Sequence, residues 1–363
     1  MDRQAGASAP PPALSGTRIT GVGTAVSPTS YTQQELLDEF AIIDERVRSL
    51  FLNSAIERRS LVLPPKAADG SRQIETQGEL LRKHTETGLA MAREAIAACL
   101  ADAGATLADV GYLCCVTTTG LLTPGFSALL IKDLGIDCHS SRLDVVGMGC
   151  NAGLNALTAV ASWANSHPGR LALMVCIEAC SAAYVMDGSM RTSVVNSLFG
   201  DGCAAITVQA RDSGGDTGPE LLRFSSRIMP EAVGAMRYDW DDDQGKFSFY
   251  LDQDVPYVVG ANAEAALDRL LAGTGLKRGD ITHWLLHSGG KKVIDSVRVN
   301  LGLSRHDVRH TTGVLRDHGN VSSGSFLFSY ERLRAEQCVR PGEYGVLMTM
   351  GPGSTIEMAL VRW

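Results

Sequence analysis

The sequence predicts an α/β protein built from two similar halves, each a parallel sheet covered by helices. The first observation is the alternation of helical segments with short apolar strands, which is typical of parallel sheets with helices on both faces. The second is an internal match at a constant offset of 171 positions, at which Gly104 meets Gly275. The third is the length of 363 residues, which suits two domains or one large duplicated unit.

The two halves repeat the same order of elements. Each begins with a helix, a glycine stop, a polar turn and a buried strand, at 95–116 and 266–287. A second helix follows in each, and then a glycine-containing turn that opens a third helix; these segments lie at 126–136 and 147–163, and at 292–303 and 317–333. Chance similarity of two amphipathic units is the alternative, but the ungapped match of Gly, Asp and apolar positions favours duplication.

Each half is predicted to close on a strand, a turn and a second strand, at 198–210 and 344–363. GPGS in the second closure is predicted to be a hairpin turn and not a phosphate loop, because no helix follows it. We therefore divide the chain into three parts. An Ala-, Pro- and Ser-rich tail at 1–16 is predicted to be disordered, and the two halves span 17–215 and 216–363.

Composition argues against several classes of protein. The net charge of −7 disfavours a nucleic-acid-binding protein. The chain has no apolar run of about 18 residues, which argues against a membrane span, and its tail lacks the apolar core of a signal peptide. The nine cysteines show no metal-ligand spacing, so we expect reduced thiols, no metal and a cytoplasmic location.

Three residues stand at related positions of the two halves. The offset pairs Val116 with His287 at a strand end and pairs Cys150 approximately with Asn320 at a helix start. If the halves pack about a pseudo-twofold axis, Cys150, His287 and Asn320 converge. A helix N-terminus and a neighbouring imidazolium would lower the pKa of the Cys150 thiol, while His287 and Asn320 could stabilise an enolate or oxyanion.

Each of these residues also has a plain structural interpretation. A buried cysteine is usually inert, a buried histidine is usually a satisfied core residue, and an asparagine at a helix start is usually a cap. The order Cys, His, Asn also occurs in papain-like proteases, but the sequence around Cys150 lacks their C-G-S-C-W motif. The duplicated α/β pattern is also wrong for that class.

Several separated motifs resemble those of type III polyketide synthases, which have the thiolase-like fold. In chain order they are TTTGLLTPG (117–125), GCNAG (149–153), SLFGDGCAA (197–205), FYLDQDVP (249–256), HSGG (287–290), GNVSS (319–323) and GPGSTIE (351–357). The resemblance implies a layered αβαβα core and a catalytic triad of Cys150, His287 and Asn320. It also implies a gate between CoA tunnel and cavity formed by Phe199 and Phe249.

The same resemblance places substrate-binding positions at Thr119, Cys180, Ala183, Trp240 and Ser322. A large Trp240 where plant enzymes have glycine would fill the cavity and favour a small starter unit.

Other departures from the plant pattern concern the nucleophile, the subunit contact and the CoA site. Asn151 replaces a phenylalanine, Thr123 replaces a subunit-crossing methionine, and Asn53 replaces a CoA-binding lysine. Arg58 and Arg59 become the candidates for CoA binding, although a solvated basic turn explains them equally well.

The stretches GMGCNAGLNAL, EACSAAY, MRYDW, HSGGKK, HTTGVLRD and TMGPGSTIEMAL further resemble the bacterial 3,5-dihydroxyphenylacetyl-CoA synthases of glycopeptide-antibiotic pathways. This resemblance implies malonyl-CoA as starter and extender, no cofactor, a homodimer and possible accessory pathway enzymes. The product would feed dihydroxyphenylglycine. Alternatives are a synthase of the tetrahydroxynaphthalene or alkylresorcinol type, a decarboxylase or thioesterase with the same triad, and a purely structural protein.

Overall fold

The computed structural model describes residues 16–183, 190–210 and 218–363. The tail at 1–15 and the predicted division between residues 215 and 216 lie outside these residues, so the domain division stays a prediction. The elements of the first half, in chain order, are β1 (Thr17–Ala25), β2 (Ser30–Thr32), α1 (Gln33–Glu39), α2 (Glu45–Leu52), β3 (Arg58–Ser60), α3 (Gln77–Ala103), β4 (Val110–Thr117), α4 (Phe126–Leu134), β5 (Ser141–Val146), α5 (Ala152–Ser166), β6 (Leu171–Glu178), α6 (Met190–Asn196) and β7 (Gly202–Ala210).

The second half continues with the same kinds of element. They are β8 (Glu220–Ile228), β9 (Met236–Asp241), β10 (Lys246–Leu251), α7 (Val255–Leu271), β11 (Ile281–Leu286), α8 (Lys291–Asn300), α9 (Arg309–His318), α10 (Ser325–Glu336), β12 (Tyr344–Gly351) and β13 (Thr355–Arg362). No helix in the described part of the chain is long and apolar enough to cross a membrane.

The strand order confirms the predicted duplication. Nine strands run β11-β12-β13-β8-β1-β7-β6-β4-β5, so β8-β13-β12-β11 repeats the order β1-β7-β6-β4. The two sets meet where Arg18 of β1 pairs with Glu220 of β8. The short turns Leu107–Asp109 and Arg278–Asp280, which precede β4 and β11, keep the offset of 171 read from the sequence.

The sheet is mixed, whereas the alternation of helices and strands predicted parallel sheets. β4 pairs in parallel with β5 and β6, and β11 pairs in parallel with β12. β7 and β13, however, run antiparallel to both of their neighbours, because each closes its half by inserting between the first strand and the rest.

Only the second of the two predicted hairpin closures forms. β12 and β13 are an antiparallel hairpin, as expected. In the first half, 198–210 supplies only β7, whose antiparallel neighbour β6 lies before a long connection. That connection, 179–201, holds α6, and its end carries Phe199 and Asp201.

Helices and strands form five layers. α5 and α10 contact strands of both halves and therefore lie between them. Their core combines Leu154 and Val160 of α5 with Phe326 and Leu327 of α10. On the outer faces, α3 and α4 pack on the first-half strands, and α7 and α8 cover the second-half strands. This αβαβα order confirms the predicted fold class and brings the starts of α5 and α10 together.

Candidate active site

Cys150 lies in a tight turn between β5 and α5. Gly147 and Gly149 adopt left-handed φ values of 85° and 74° in this turn, which glycine tolerates best. A Cβ at Gly149 would stand 2.3 Å from Cδ of Pro352, so the turn is packed directly against the β12–β13 loop. Cys150 itself occupies a single 3₁₀ turn, Gly149–Asn151, that leads into α5. The cysteine is therefore fixed by its own turn and by the opposite half.

His287 follows β11 and is held from two sides. Its backbone N–H donates to the carbonyl of Met348 on β12 at 2.8 Å. Its Nδ1 lies 2.5 Å from Oγ of Ser325, the first residue of α10. Because a hydroxyl can donate or accept, Ser325 allows either tautomer and supports an imidazolium by accepting from Nδ1–H.

Asn320 and Ser322 bring the second half to the cysteine. The Oδ1 atom of Asn320 accepts from the backbone N–H of Ser322 at 2.9 Å. Oγ of Ser322 lies 3.4 Å from Sγ of Cys150, and the side chains of Ser322 and Asn320 both act to lower the pKa of the thiol. Ser322, in the turn before α10, thus contacts Cys150. Ser325, the first residue of α10, contacts His287. The three predicted catalytic residues converge at this point.

The resting thiol and imidazole are both neutral. Burial raises the pKa of Cys150 to about 12, against the hydrogen bond from Ser322 that lowers it. Burial also lowers the pKa of His287 to about 3. The expected lowering of the cysteine pKa is therefore not found, because the apolar surroundings penalise both charged forms more than the hydrogen bonds stabilise them.

A buried carboxyl group behind Cys150 was missed by the sequence analysis. Glu178 ends β6, and its Oε2 accepts from the hydroxyl and backbone N–H of Thr118 at 2.9 and 3.0 Å. Oγ of Thr118 lies 2.8 Å from that of Ser322, and Ser323 donates to the other carboxyl oxygen. Burial raises the pKa of Glu178 to about 7. A hydrogen-bonded polar chain thus runs from Glu178 through Thr118 and Ser322 to the thiol.

One signal in the sequence could have revealed this group. Glu178 is the only charged residue in the otherwise apolar strand LALMVCIE, and a charged residue buried in such a strand needs polar partners. Its partners Thr118 and Ser323 come from different halves of the chain, so the sequence does not identify them.

Phe199 and Phe249, the predicted gate, lie edge-to-face with ring centroids 6.2 Å apart. Both are buried and belong to the same apolar cluster as Cys150 and Cys180. Phe199 also forms an isolated parallel bridge with Asn320. The predicted gate is therefore joined to Asn320 through the backbone.

The predicted cavity residues divide into two groups. Cys180 lines a pocket with Phe199, and Ala183 lines a pocket with Phe249, so both lie beside the gate. Thr119 faces elsewhere: its hydroxyl accepts from the N–H of Ala179 at 3.1 Å and lies 3.2 Å from Nδ1 of His84. Its neighbour Thr118 occupies the polar chain, so the structure favours Thr118 over Thr119 at the site.

Two predicted binding residues are placed differently from the expectation. The side chain of Trp240 is 50% exposed and packs edge-to-face on Phe247, so it does not fill the cavity. Arg59 is 1% exposed, and its guanidinium donates to the carbonyls of Phe199 and Asn196, so it cannot reach CoA. Arg58 is exposed, as a CoA-binding residue would be, and stays a prediction.

Comparison with known proteins agrees with this geometry. The family model "Chalcone and stilbene synthases, N-terminal domain" matches residues 18–212, and the corresponding C-terminal domain model matches 220–363. A 3,5-dihydroxyphenylacetyl-CoA synthase of Streptomyces toyocaensis is 67% identical over 95% of this chain and 90% of that protein. A protein of the same name from Amycolatopsis balhimycina is 66% identical over 96% and 93%.

More distant relatives share the fold. A 1,3,6,8-tetrahydroxynaphthalene synthase of Streptomyces peucetius subsp. caesius is 31% identical over 96% of this chain and 93% of that protein. The crystal structure of the 1,3,6,8-tetrahydroxynaphthalene synthase of Streptomyces coelicolor, a type III polyketide synthase, superposes with a TM-score of 0.86 at 27% identity, over 95% and 99% of the two chains. The chain therefore belongs to the chalcone and stilbene synthase family of type III polyketide synthases.

Proposed function

We propose that this protein condenses four malonyl-CoA molecules and cyclises the resulting C8 chain to 3,5-dihydroxyphenylacetyl-CoA. The observation that carries the proposal is the convergence of Cys150, His287 and Asn320 beside the gate of Phe199 and Phe249. The named relatives at 66–67% identity support this product over tetrahydroxynaphthalene, whose named relative is 31% identical.

Acyl transfer to Cys150 begins the reaction. The thiol proton moves to Nε2 of His287, while Ser325 accepts from Nδ1–H of the imidazolium. The thiolate of Cys150 attacks the carbonyl carbon of the acyl-CoA, and the C–S bond to CoA breaks. The CoA thiolate leaves with the proton from His287, so the acyl-enzyme forms with both side chains neutral again.

Decarboxylation then generates the carbon nucleophile. The side chains of His287 and Asn320 donate hydrogen bonds to the thioester oxygen of the next malonyl-CoA. The bond between the α-carbon and the carboxylate carbon breaks, and CO₂ leaves. The electron pair of that bond forms an enolate, and His287 and Asn320 stabilise the enolate oxygen. The apolar rings of Phe199 and Phe249 disfavour the carboxylate charge and hence favour its loss as neutral CO₂.

Chain growth and ring closure need no other chemical group. The enolate carbon attacks the Cys150 thioester and expels the Cys150 thiolate, so the chain, now held as a CoA thioester, gains two carbons for each CO₂ released. Transfer of this chain back to Cys150, with release of CoA, prepares each further round. Loss of the starter's own carboxylate as CO₂ brings the finished chain to eight carbons. Carbon–carbon closure of the C8 chain and loss of one water give the aromatic thioester. We infer that no metal or organic cofactor takes part, because the thioester supplies the activation.

We further propose a cytoplasmic homodimer that works beside accessory pathway enzymes. All nine cysteines are free in the structure, which suits a reducing compartment. The family resemblance supports the dimer.

Product analysis with malonyl-CoA alone tests the proposal. Mass spectrometry should detect the C8 dihydroxyphenylacetyl thioester, or its free acid, from the wild-type protein. Cys150→Ala should abolish it, whereas the matched control Cys138→Ala, which alters an exposed cysteine, should not. A pyrone or acetyl-CoA as the sole product would contradict the assigned product. Turnover only with a fatty or aromatic starter would contradict the assigned substrate.

A further inference from the structure

The short segment 196–200, which we call the gate segment, runs from the last residue of α6 towards β7 and carries Phe199. The carbonyl groups of its first four residues all accept hydrogen bonds. Arg59 donates to the carbonyl of Asn196. Gln33 donates to the carbonyl of Ser197 at 2.8 Å. The backbone N–H of Asn320 donates to Leu198 at 2.8 Å, and Arg59 donates to Phe199 at 2.5 Å. Groups outside the segment therefore hold the backbone at four consecutive residues, the last of which is Phe199.

Arg59 and Gln33 form one buried unit, which we call the clamp. Arg59 is 1% exposed and Gln33 is 4% exposed. Nε of Arg59 donates to Oε1 of Gln33 at 3.2 Å, so each side chain orients the other. A guanidinium so deeply buried is stable only where its N–H groups find acceptors, and here the acceptors belong to the gate segment and to Gln33. The clamp is thus matched to that backbone.

The clamp also packs where the gate segment crosses the segment that carries Asn320. A Cβ at Gly200 would lie 3.1 Å from Cβ of Arg59, and one at Gly319 would lie 3.3 Å from Cδ of Arg59. The two glycines therefore let both backbones approach the arginine side chain. The N–H of Gly200 donates to the carbonyl of Asn320 at 3.1 Å, which completes the pairing of the two segments.

Cys150 is held by different contacts. Its turn packs on Pro352, and its thiol lies against Ser322, neither of which the clamp contacts through the hydrogen bonds described. Displacing the gate segment therefore displaces Phe199 and the backbone of Asn320 before it affects the turn that presents the thiol.

We propose that Arg59 and Gln33 are positioning residues that fix Phe199 relative to Asn320, so that decarboxylation depends on them while the reactivity of the Cys150 thiol does not. The inference rests on the proposed function, because decarboxylation of malonyl-CoA is the step it assigns to these two groups. It replaces the sequence expectation of CoA binding for Arg59 with a role in the geometry of the gate.

The first experiment compares Arg59→Met with the matched control Arg305→Met, which alters an exposed arginine outside the site. Two rates are measured: release of CO₂ from malonyl-CoA, and alkylation of Cys150 by iodoacetamide, followed by mass spectrometry of the tryptic peptide 143–170. Arg59→Met should lower CO₂ release at least about tenfold and change the alkylation rate less than about twofold. Arg305→Met should leave CO₂ release within about twofold of wild type. Arg59→Lys should recover part of the loss, because one ammonium replaces some of the donors.

Equal loss of both rates in Arg59→Met, with no recovery in Arg59→Lys, would overturn the proposal and indicate a general structural role. Unchanged CO₂ release would also overturn it. If Arg59→Met does not fold, Gln33→Leu removes the bonds to Ser197 and Arg59 while keeping the arginine, and the same split between the two rates is required.

Hydrogen–deuterium exchange tests the clamp without any turnover. The N–H groups of Gly200 and Asn320 pair across the two segments. Both should exchange faster in Arg59→Met than in wild type, with peptide 143–170 unchanged. Unaltered exchange at these two amides would contradict the clamp. Wild-type protein that does not turn over malonyl-CoA would instead contradict the proposed function, so the two failures are distinguishable.

Discussion

Replacing Glu178 by Gln removes an ionisable carboxyl group from the polar chain behind Cys150 while keeping its size and one of its two acceptor oxygens. Burial raises the pKa of this group from 4.5 to about 7. When the pH lies between 4.5 and about 7, Glu178 keeps its proton in the folded protein but has released it in the unfolded chain. The free energy of unfolding therefore falls as pH rises through this window, and the full loss is present above the folded-state pKa.

The size of the effect follows from the two pKa values. At about 1.4 kcal/mol for each pH unit, a shift from 4.5 to about 7 amounts to about 3 kcal/mol. Most of it, about 2–3 kcal/mol, falls between about pH 5 and about pH 8. Glutamine carries no such penalty, so Glu178→Gln should gain that amount relative to wild type across this range. With an unfolding entropy of about 2.1 cal/mol/K per residue, the difference in Tm between Glu178→Gln and wild type should grow by about 3 °C from about pH 5 to about pH 8.

Thermal unfolding of wild type and Glu178→Gln at about pH 5 and about pH 8, followed by near-UV circular dichroism, measures this shift. Glu94→Gln, which alters an exposed residue of α3, is the matched control and should show no pH-dependent difference from wild type. The charge of Glu178 also raises the pKa of Cys150, so Glu178→Gln should speed alkylation of the thiol above about pH 7. A Tm difference that is the same at both pH values would refute the raised pKa.

Three further substitutions test other parts of the site. Ser325→Ala removes the partner of Nδ1 of His287 and should lower CO₂ release from malonyl-CoA about tenfold with little change in Tm; unchanged release would contradict the orienting role. Gly153→Ala places a Cβ 2.2 Å from the carbonyl oxygen of Ser323 and should destabilise the protein by about 1–3 kcal/mol; calorimetry showing an unchanged Tm would contradict this close packing. Trp240→Ala should leave the product pattern unchanged, because that side chain is half exposed; mass spectrometry showing new acceptance of larger starters would restore its role as a volume limit.

The repeat in the sequence predicts much of the fold because it follows local structure. The offset of 171 relates the turns Leu107–Asp109 and Arg278–Asp280, and it identifies the strand ends and helix starts from which the triad comes. Convergence of Cys150 with Asn320 then follows from packing the two halves about α5 and α10. The repeat does not predict the antiparallel direction of β7 and β13. Each of these strands inserts between two others, and the sequence does not specify the course of the connection that leads to it.

Contacts between distant segments account for what the sequence did not predict. Arg58 and Arg59 are equivalent as a basic pair in the sequence, but they lie on opposite faces of the short strand β3. One is exposed and the other is buried against the gate segment. Trp240 matches a family cavity position, yet its exposure depends on how the β9–β10 hairpin sits on the surface. The polar chain to Glu178 joins residues from both halves.

Locating the acyl group shows directly whether the growing chain is carried on Cys150. The protein is incubated with malonyl-CoA, quenched in acid and digested, and the peptide 143–170, whose single cysteine is Cys150, is analysed by mass spectrometry. We expect acyl additions that grow by two-carbon units on this peptide and none on the peptide that contains Cys176 and Cys180. Formation of the C8 product with the acyl group on another cysteine, or with no acyl-enzyme at any time point, would contradict it.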